Sequence, residues 1–374
     1  MPVPGTGTGP GTGPGTGVRP APGERLVREL GTRNVLTAVL AVPTGGHVWC
    51  RRPGPARDTP LPLPGARPAA AVRAVSAETP VGLALARPHP GQAGVLRYAA
   101  PGTRSAAAVL RDDRDPRARA AVRDAVRGLG ATLRALHARP VPGAPSGPPP
   151  APARLARWLR AGTGPGAAPR LHAEARARLG DRRLGLIGEW SEASAHGPGP
   201  CRLLHGGPAL GALVLPAGPG RPVLFTGEEL TVGTWEFDVA WQLAEFAEMA
   251  AGQRWGVYGP ADCTALARAF LEGYGAQPSP AAARRAVVVR SLTHAHDFAA
   301  YVAWHDQLFT YLDLVAEAME AARAPDAEDG WDAARVCAAT EDGGGAAGTA
   351  ARRTAPGARG REVGPRTSGG RMRD

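Results

Sequence analysis

An α+β fold is what the sequence predicts, and three observations predict it. Short apolar runs bounded by Gly/Pro turns fill the first hundred residues, as strands do. Helix-period apolar patterns dominate the stretch that follows. Both ends are rich in Gly, Pro or Arg and nearly empty of large apolar side chains. At 374 residues the chain is long enough to bury one large two-part core. The expected division is a Gly/Thr/Pro tail over 1–20, a small sheet-bearing part over 21–105, a larger helical part over 106–323 and an Arg-rich disordered tail over 324–374.

The opening Gly-Thr/Gly-Pro repeat looks like a phosphate-binding loop but lacks the spacing of one. Its glycines from Gly5 to Gly17 all fall on odd positions, so GxGxxG never occurs. From Glu24 the run ERLVREL reads as a short helix leading into Gly31-Thr32-Arg33-Asn34. Strands over Val35–Val42 and His47–Arg52 follow, joined by a Pro-Thr-Gly-Gly hairpin turn. A helix over Ala69–Thr79 comes next. Val81–Ala86 and Val95–Ala99 then read as the last two strands of the small part and its exit.

Between Asp115 and Ala138, Val122, Val126, Leu129, Leu133 and Leu136 recur at spacings of three and four, which is one face of a helix. His137 at its end reads as a structural residue favoured by the helix dipole. A Pro/Gly-rich linker over 140–153 precedes helices at Leu155–Leu159 and Leu171–Trp190. Past residue 237, Asp238 opens a helix running through Ala250, with Val239, Leu243, Phe246 and Ala247 inward. Ala265–Tyr274 and the long Ala281–Ala322 segment complete the helical part.

The stretch from Cys201 to Trp241 carries the most information. Leu203-Leu204 runs into His205-Gly206-Gly207, and Leu213-Val214-Leu215 pairs across a Pro/Gly turn with Val223-Leu224-Phe225. A helix beginning near Phe237-Asp238 follows. This layout resembles the core of the aminoglycoside phosphotransferase and choline kinase families. There a His-Gly-Asp-x-x-x-x-Asn loop, a strand ending in Asp (often Asp-Trp-Glu) and a Phe-Asp-Leu-Ala-Trp-like helix stand in this order. His205, Gly206, Glu228, Phe237, Asp238, Ala240 and Trp241 fit that frame. The positions that carry chemistry do not: the catalytic Asp falls on Gly207, the metal-binding Asn on Ala212 and the second metal-binding Asp on Thr226.

The resemblance implies a bilobal protein kinase-like fold. It makes His205 and Asp238 architectural, the histidine packed beneath the loop and the aspartate binding the loop backbone. In the family a β-strand ends in an apolar-apolar-Lys triplet, whose Lys grips the ATP phosphates and pairs with a helix Glu. Here that triplet is Trp49-Cys50-Arg51, and Glu78 is the only carboxylate on the following helix, so an Arg51–Glu78 pair is expected. An exposed strand-end Arg51 is the other reading. Arg51, Glu78 and Glu228 are thus the nucleotide-pocket candidates.

Phosphoryl transfer is mostly positioning and charge neutralisation. With Gly, Ala and Thr at the three positions, the resemblance points to a catalytically impaired, pseudokinase-like protein acting as a binding or scaffold subunit. ATP stays a candidate ligand. Mg²⁺ is disfavoured, because it asks for carboxylates beside phosphate and water. A protein or peptide partner is expected, with a small-molecule ligand as an option. The family context suggests bacterial natural-product or peptide-modification pathways. The rival reading is an active phosphotransferase moving the ATP γ-phosphate to a hydroxyl, with Glu228 or Glu229, just past Thr226, brought to a metal by a shifted loop.

Composition narrows the partners. All basic residues are Arg, which excludes lysine chemistry and fits a high-GC bacterial genome. The net charge of +11 owes much to seven Arg between Arg352 and Arg373, so a general nucleic-acid surface is disfavoured. Cys50, Cys201, Cys263 and Cys337 form no CxxC pair, and no signal peptide or 18-residue apolar run occurs; a cytoplasmic protein without membrane contact is expected. His294, His296 and Asp297, with His305, resemble a metal cluster by composition. On a helix, however, His294 and His296 face opposite sides, so they are read as cleft-lining or packing residues. No GxSxG occurs, and Ser191, Ser194 and Ser291 support no nucleophile reading.

Overall fold

Strand β1 (Arg25–Gly31) stands where ERLVREL suggested a helix. The run has helix spacing, but its backbone pairs with β2 (Val35–Ala41) from Arg25↔Ala41 to Gly31↔Leu36, and this pairing overrides local preference. The computed structural model describes residues 17–139, 147–197, 199–254 and 261–323. Most of the 1–20 tail and all of the 324–374 tail, with Cys337, lie outside them. Residues 17–20 correct the expected tail boundary: Val18 is buried against Ala38, Leu40, Cys50 and Val95, and Gln92 holds Gly17 and Arg19 by two hydrogen bonds.

β2 continues through the Pro-Thr-Gly-Gly hairpin into β3 (His47–Pro53). Helix α1 (Ala66–Glu78) and strand β4 (Gly82–Leu85) follow, then β5 (Arg87–His89) and β6 (Gln92–Ala100). The antiparallel sheet has the order β1-β2-β3-β6-β5. β4 is not part of it, contrary to the reading of Val81–Ala86 as a strand of that sheet.

The larger lobe begins with α2 (Ala106–Asp112), capped by Ser105, and α3 (Pro116–His137), capped by Asp115. Helix α4 (Pro150–Ala161) starts within the stretch read as linker, its prolines falling in the first turn, where no amide donor is needed. Residues 140–146 of that linker lie outside the described ones. The expected Leu171–Trp190 helix is two, α5 (Ala168–Leu179) and α6 (Asp181–Glu192), parted at Gly180, whose φ of 78° ends the first.

Strands β7 (Arg202–Leu204), β8 (Leu213–Val214), β9 (Val223–Thr226) and β10 (Thr231–Gly233) form two small sheets. β7 pairs with β10, and β9 lies between β8 and β4, parallel to β4. Four helices finish the lobe: α7 (Glu236–Arg254), α8 (Cys263–Tyr274), α9 (Pro280–Tyr301) and α10 (Gln307–Arg323). The last two divide the segment read as one, at residues 302–306. The fold is therefore α+β, a small antiparallel sheet with a helix joined to a larger, mainly helical lobe. Among the described residues, no helix is long and apolar enough to cross a membrane.

One core spans α1, α3, α7, α8 and the small strands, with Leu129, Leu133, Phe246 and Phe270 fully buried. A second lies among α4, α5, α9 and α10. A third, around Trp49, Tyr98 and Phe225, joins the five-stranded sheet to β8 and β9.

Candidate functional site

Asp238, in the first turn of α7, is fully buried and organises the loop after β7. Its Oδ2 accepts from the His205 amide at 2.6 Å, and its Oδ1 accepts from the Gly206 amide at 2.9 Å. His137 donates from Nε2 to the same Oδ2 at 3.0 Å and accepts from the Tyr274 hydroxyl at 2.9 Å through Nδ1. His137 is thus held by a buried network, which says more of its role than the helix dipole. The His205 ring donates from Nε2 to the Phe225 carbonyl at 3.0 Å, tying the loop to β9. Burial lowers its pKa, favouring the neutral ring.

The structure brings Ala212 and Thr226 close together, with Gly207 two residues past His205, whose ring bonds the Phe225 carbonyl. The Ala212 carbonyl accepts from the Phe225 amide at 3.0 Å, next to Thr226. Thr226 is buried, and its hydroxyl donates back to the Leu224 carbonyl at 3.0 Å. A hydroxyl turned inward beside an alanine does not fit Mg²⁺, which takes carboxylate and water oxygens. Among the described residues, no three His, Cys, Asp or Glu are placed to hold a metal ion.

The space a side chain on Gly207 would need is taken. A Cβ there would collide with Glu229 Oε2, and one on Gly206 would collide with the Glu229 carbonyl. The connection from β9 to β10 therefore lies directly on the loop at Gly206, where glycine permits the backbone approach, while at Gly207 the end of the Glu229 side chain fills the space. Desolvation pushes the Glu229 carboxyl up to about 7; Arg154 works against this and Glu228 adds to it.

Arg51 does not pair with Glu78. Its partner is Glu228, at 2.6 Å, and Tyr98 donates to the same Oε1 at 2.5 Å. Glu78 pairs instead with Arg139 at 3.0 Å, on the outside of α1. Nor is Arg51 the exposed strand-end residue of the other reading, since its side chain is only 28% exposed. Burial disfavours its charge, but Glu228 beside it more than offsets this and raises its pKa. Of the two carboxylates considered as metal ligands, Glu228 is thus engaged by Arg51 and Tyr98.

The histidines near the end of α9 go to separate partners. His294 pairs through Nδ1 with Glu248, His296 with Asp297 at 2.8 Å, and His305 accepts from the Gln307 amide at 3.1 Å. Asp297 also takes a two-pronged pair from Arg154 of α4, Nε to Oδ1 at 2.9 Å and Nη2 to Oδ2 at 2.5 Å. Burial would raise the Asp297 pKa; Arg154 and His296 overcome it and hold the carboxyl well below its usual range. Sequence reasoning missed Tyr98 and Arg154, which are separated from their partners by 130 and 143 residues and carry no local motif. Glu229 was in view, but nothing local placed its carboxyl at position 207.

No protein-family model matches the chain, and no curated protein sequence does. Solved structures do. A macrolide 2′-phosphotransferase from Brachybacterium faecium is 17% identical over 82% of this chain and 94% of its own, with a TM-score of 0.40. A choline/ethanolamine kinase family protein from Mesorhizobium loti is 18% identical over 85% and 92%, TM-score 0.43. The amicoumacin kinase hAmiN is 11% identical over 79% and 88%, TM-score 0.49. Likenesses of this size settle nothing about activity, and the functional reading rests on the residues above.

Proposed function

We propose that this chain is a catalytically impaired member of the aminoglycoside phosphotransferase and choline kinase superfamily, with the protein kinase-like fold, working as a binding or scaffold subunit. One observation carries the reading: Gly207, Ala212 and Thr226 stand at the positions that the resemblance gives to the base and the metal ligands, and none can bear charge. The loss of any one such group from a phosphotransferase costs orders of magnitude in rate. Meanwhile Asp238 still holds the loop, accepting from the His205 and Gly206 amides and from His137. Arg51 is bound to Glu228 and Tyr98, so a phosphate would have to displace a carboxylate to reach it. A protein or peptide in the cytoplasm, in a bacterial natural-product or peptide-modifying pathway, is the partner class this reading favours.

A second reading is favoured by Glu229, whose carboxyl lies in the room of the missing side chain at position 207. It would accept the proton of a substrate hydroxyl in an active phosphotransferase. The two readings separate in one assay of γ-phosphate transfer from ATP with Mg²⁺ to aminoglycoside, choline and serine-peptide acceptors. The impaired reading expects no transfer above the uncatalysed rate at any pH. The second expects transfer that rises as pH passes about 7, where Glu229 loses its proton, and that falls roughly 100-fold in Glu229→Gln.

A further inference from the structure

Trp49 sits at the centre of β3, with Val39 and Tyr98 as its cross-strand neighbours, so all three side chains leave the same face of the sheet. That face meets β8 and β9. The indole is 3% exposed and stands edge-on to Phe225, with ring centres 5.2 Å apart at 66°. Val214 of β8 belongs to the same buried cluster, and the Arg28 guanidinium lies 5.4 Å from the ring. The indole Nε1–H donates to the Gly102 carbonyl at 3.0 Å.

Gly102 belongs to the segment that crosses from β6 to α2, joining the two lobes. That segment is fixed on both sides of Gly102: Ala217 donates its amide to the Pro101 carbonyl at 3.1 Å, and Leu215 donates to the Arg104 carbonyl at 3.1 Å. A Cβ on Gly102 would collide with the Leu215 carbonyl, so the crossing lies directly on the exit of β8. The result is a flat, apolar slot with one backbone acceptor at its end, held by strands on two sides.

An indole is a flat bicyclic ring with a single ring N–H. A purine has nearly the same outline and, in adenine, an amino N–H that can meet the same carbonyl. Ligand slots are mostly apolar with a few placed polar groups, and this one already holds a group of that description. On the reading proposed above, Arg51 stands where a Lys would grip the ATP phosphates; Trp49 leaves the same face of β3 two residues earlier, beside the crossing segment, and so stands on the side where the base of such a nucleotide would lie.

We infer that Trp49 is a built-in occupant of the adenine slot, and that the wild-type chain excludes adenine nucleotides because its own side chain takes the base's place. The inference rests on the superfamily reading above and deepens it: phosphoryl transfer from ATP is blocked at the base as well as at the missing carboxylates. It also makes the slot a latent one, opened by removing a single side chain whose surroundings are fixed by other contacts.

The test is equilibrium dialysis of the full chain, wild type and Trp49→Ala, against adenosine, ATP and free indole as probes. Wild type is expected to bind neither adenosine nor ATP saturably up to about 1 mM. Trp49→Ala is expected to bind indole and adenosine in competition, adenosine with a Kd on the order of 0.1 mM for a ligand of its size. Should the alanine variant fail to fold, Trp49→Leu, which leaves a smaller void, is measured in the same way. Saturable wild-type binding of adenosine or ATP overturns the inference whatever the variants do. A folded variant that takes indole without adenosine, or takes neither, overturns it too. Binding and turnover are separate readouts, so wild-type ATP binding without phosphoryl transfer would end this inference and leave the proposed function in place.

Discussion

The Asp238 carboxylate satisfies two backbone amides and one imidazole without any contact with solvent. Replacing it by alanine leaves three buried donors without an acceptor, and unpaired buried polar groups are expensive. Asp238→Ala should therefore lose about 3–5 kcal/mol of stability, read as a lower midpoint in urea unfolding. A loss below about 1 kcal/mol would mean that the loop does not depend on this residue. The groups that shape the loop, Asp238, His205 and His137, are separate from positions 207, 212 and 226, so on the proposed reading the loop keeps its form without a base or metal ligands there.

Between elements, α3 packs closely against α8. A Cβ on Gly130 of α3 would collide with the Phe270 carbonyl of α8, and one on Gly273 of α8 with the Arg127 carbonyl of α3. The two helices touch through glycine, backbone to backbone. Gly130→Val should force them apart and cost about 3 kcal/mol or more, with a matching fall in the urea midpoint; an unchanged midpoint would contradict this packing. The α3 helix itself was legible in the sequence, because its apolar stripe recurs from Val122 to Leu136, about four turns, and Asp115 caps it. So were β2 and β3, marked by a hairpin turn between two apolar runs. β1 was not, because RLVREL has helix spacing and only its pairing with β2 decides its state. The breaks at Gly180 and after Tyr301 were missed for a similar reason: apolar periodicity runs across both. Arg51 was placed on the right strand and given the wrong partner. The choice between Glu78 and Glu228 depends on how β9 lies against the sheet, which no local pattern encodes.

Taken as a whole, the molecule joins its lobes by direct contact. The Arg33 amide, in the β1–β2 turn, donates to the Tyr301 carbonyl at the end of α9 at 2.8 Å, Arg51 reaches Glu228, and Trp49 reaches Phe225. Together they hold the small sheet directly against the helical lobe. The most direct test of this account is thermal unfolding of the full chain with ATP, with and without Mg²⁺. A ligand at 100 times its Kd adds about 2.7 kcal/mol, a rise of at least about two degrees for a chain of this size. The account predicts no rise in either condition. A rise that requires Mg²⁺ would contradict it, since that result needs both a nucleotide slot and a metal site in the native chain.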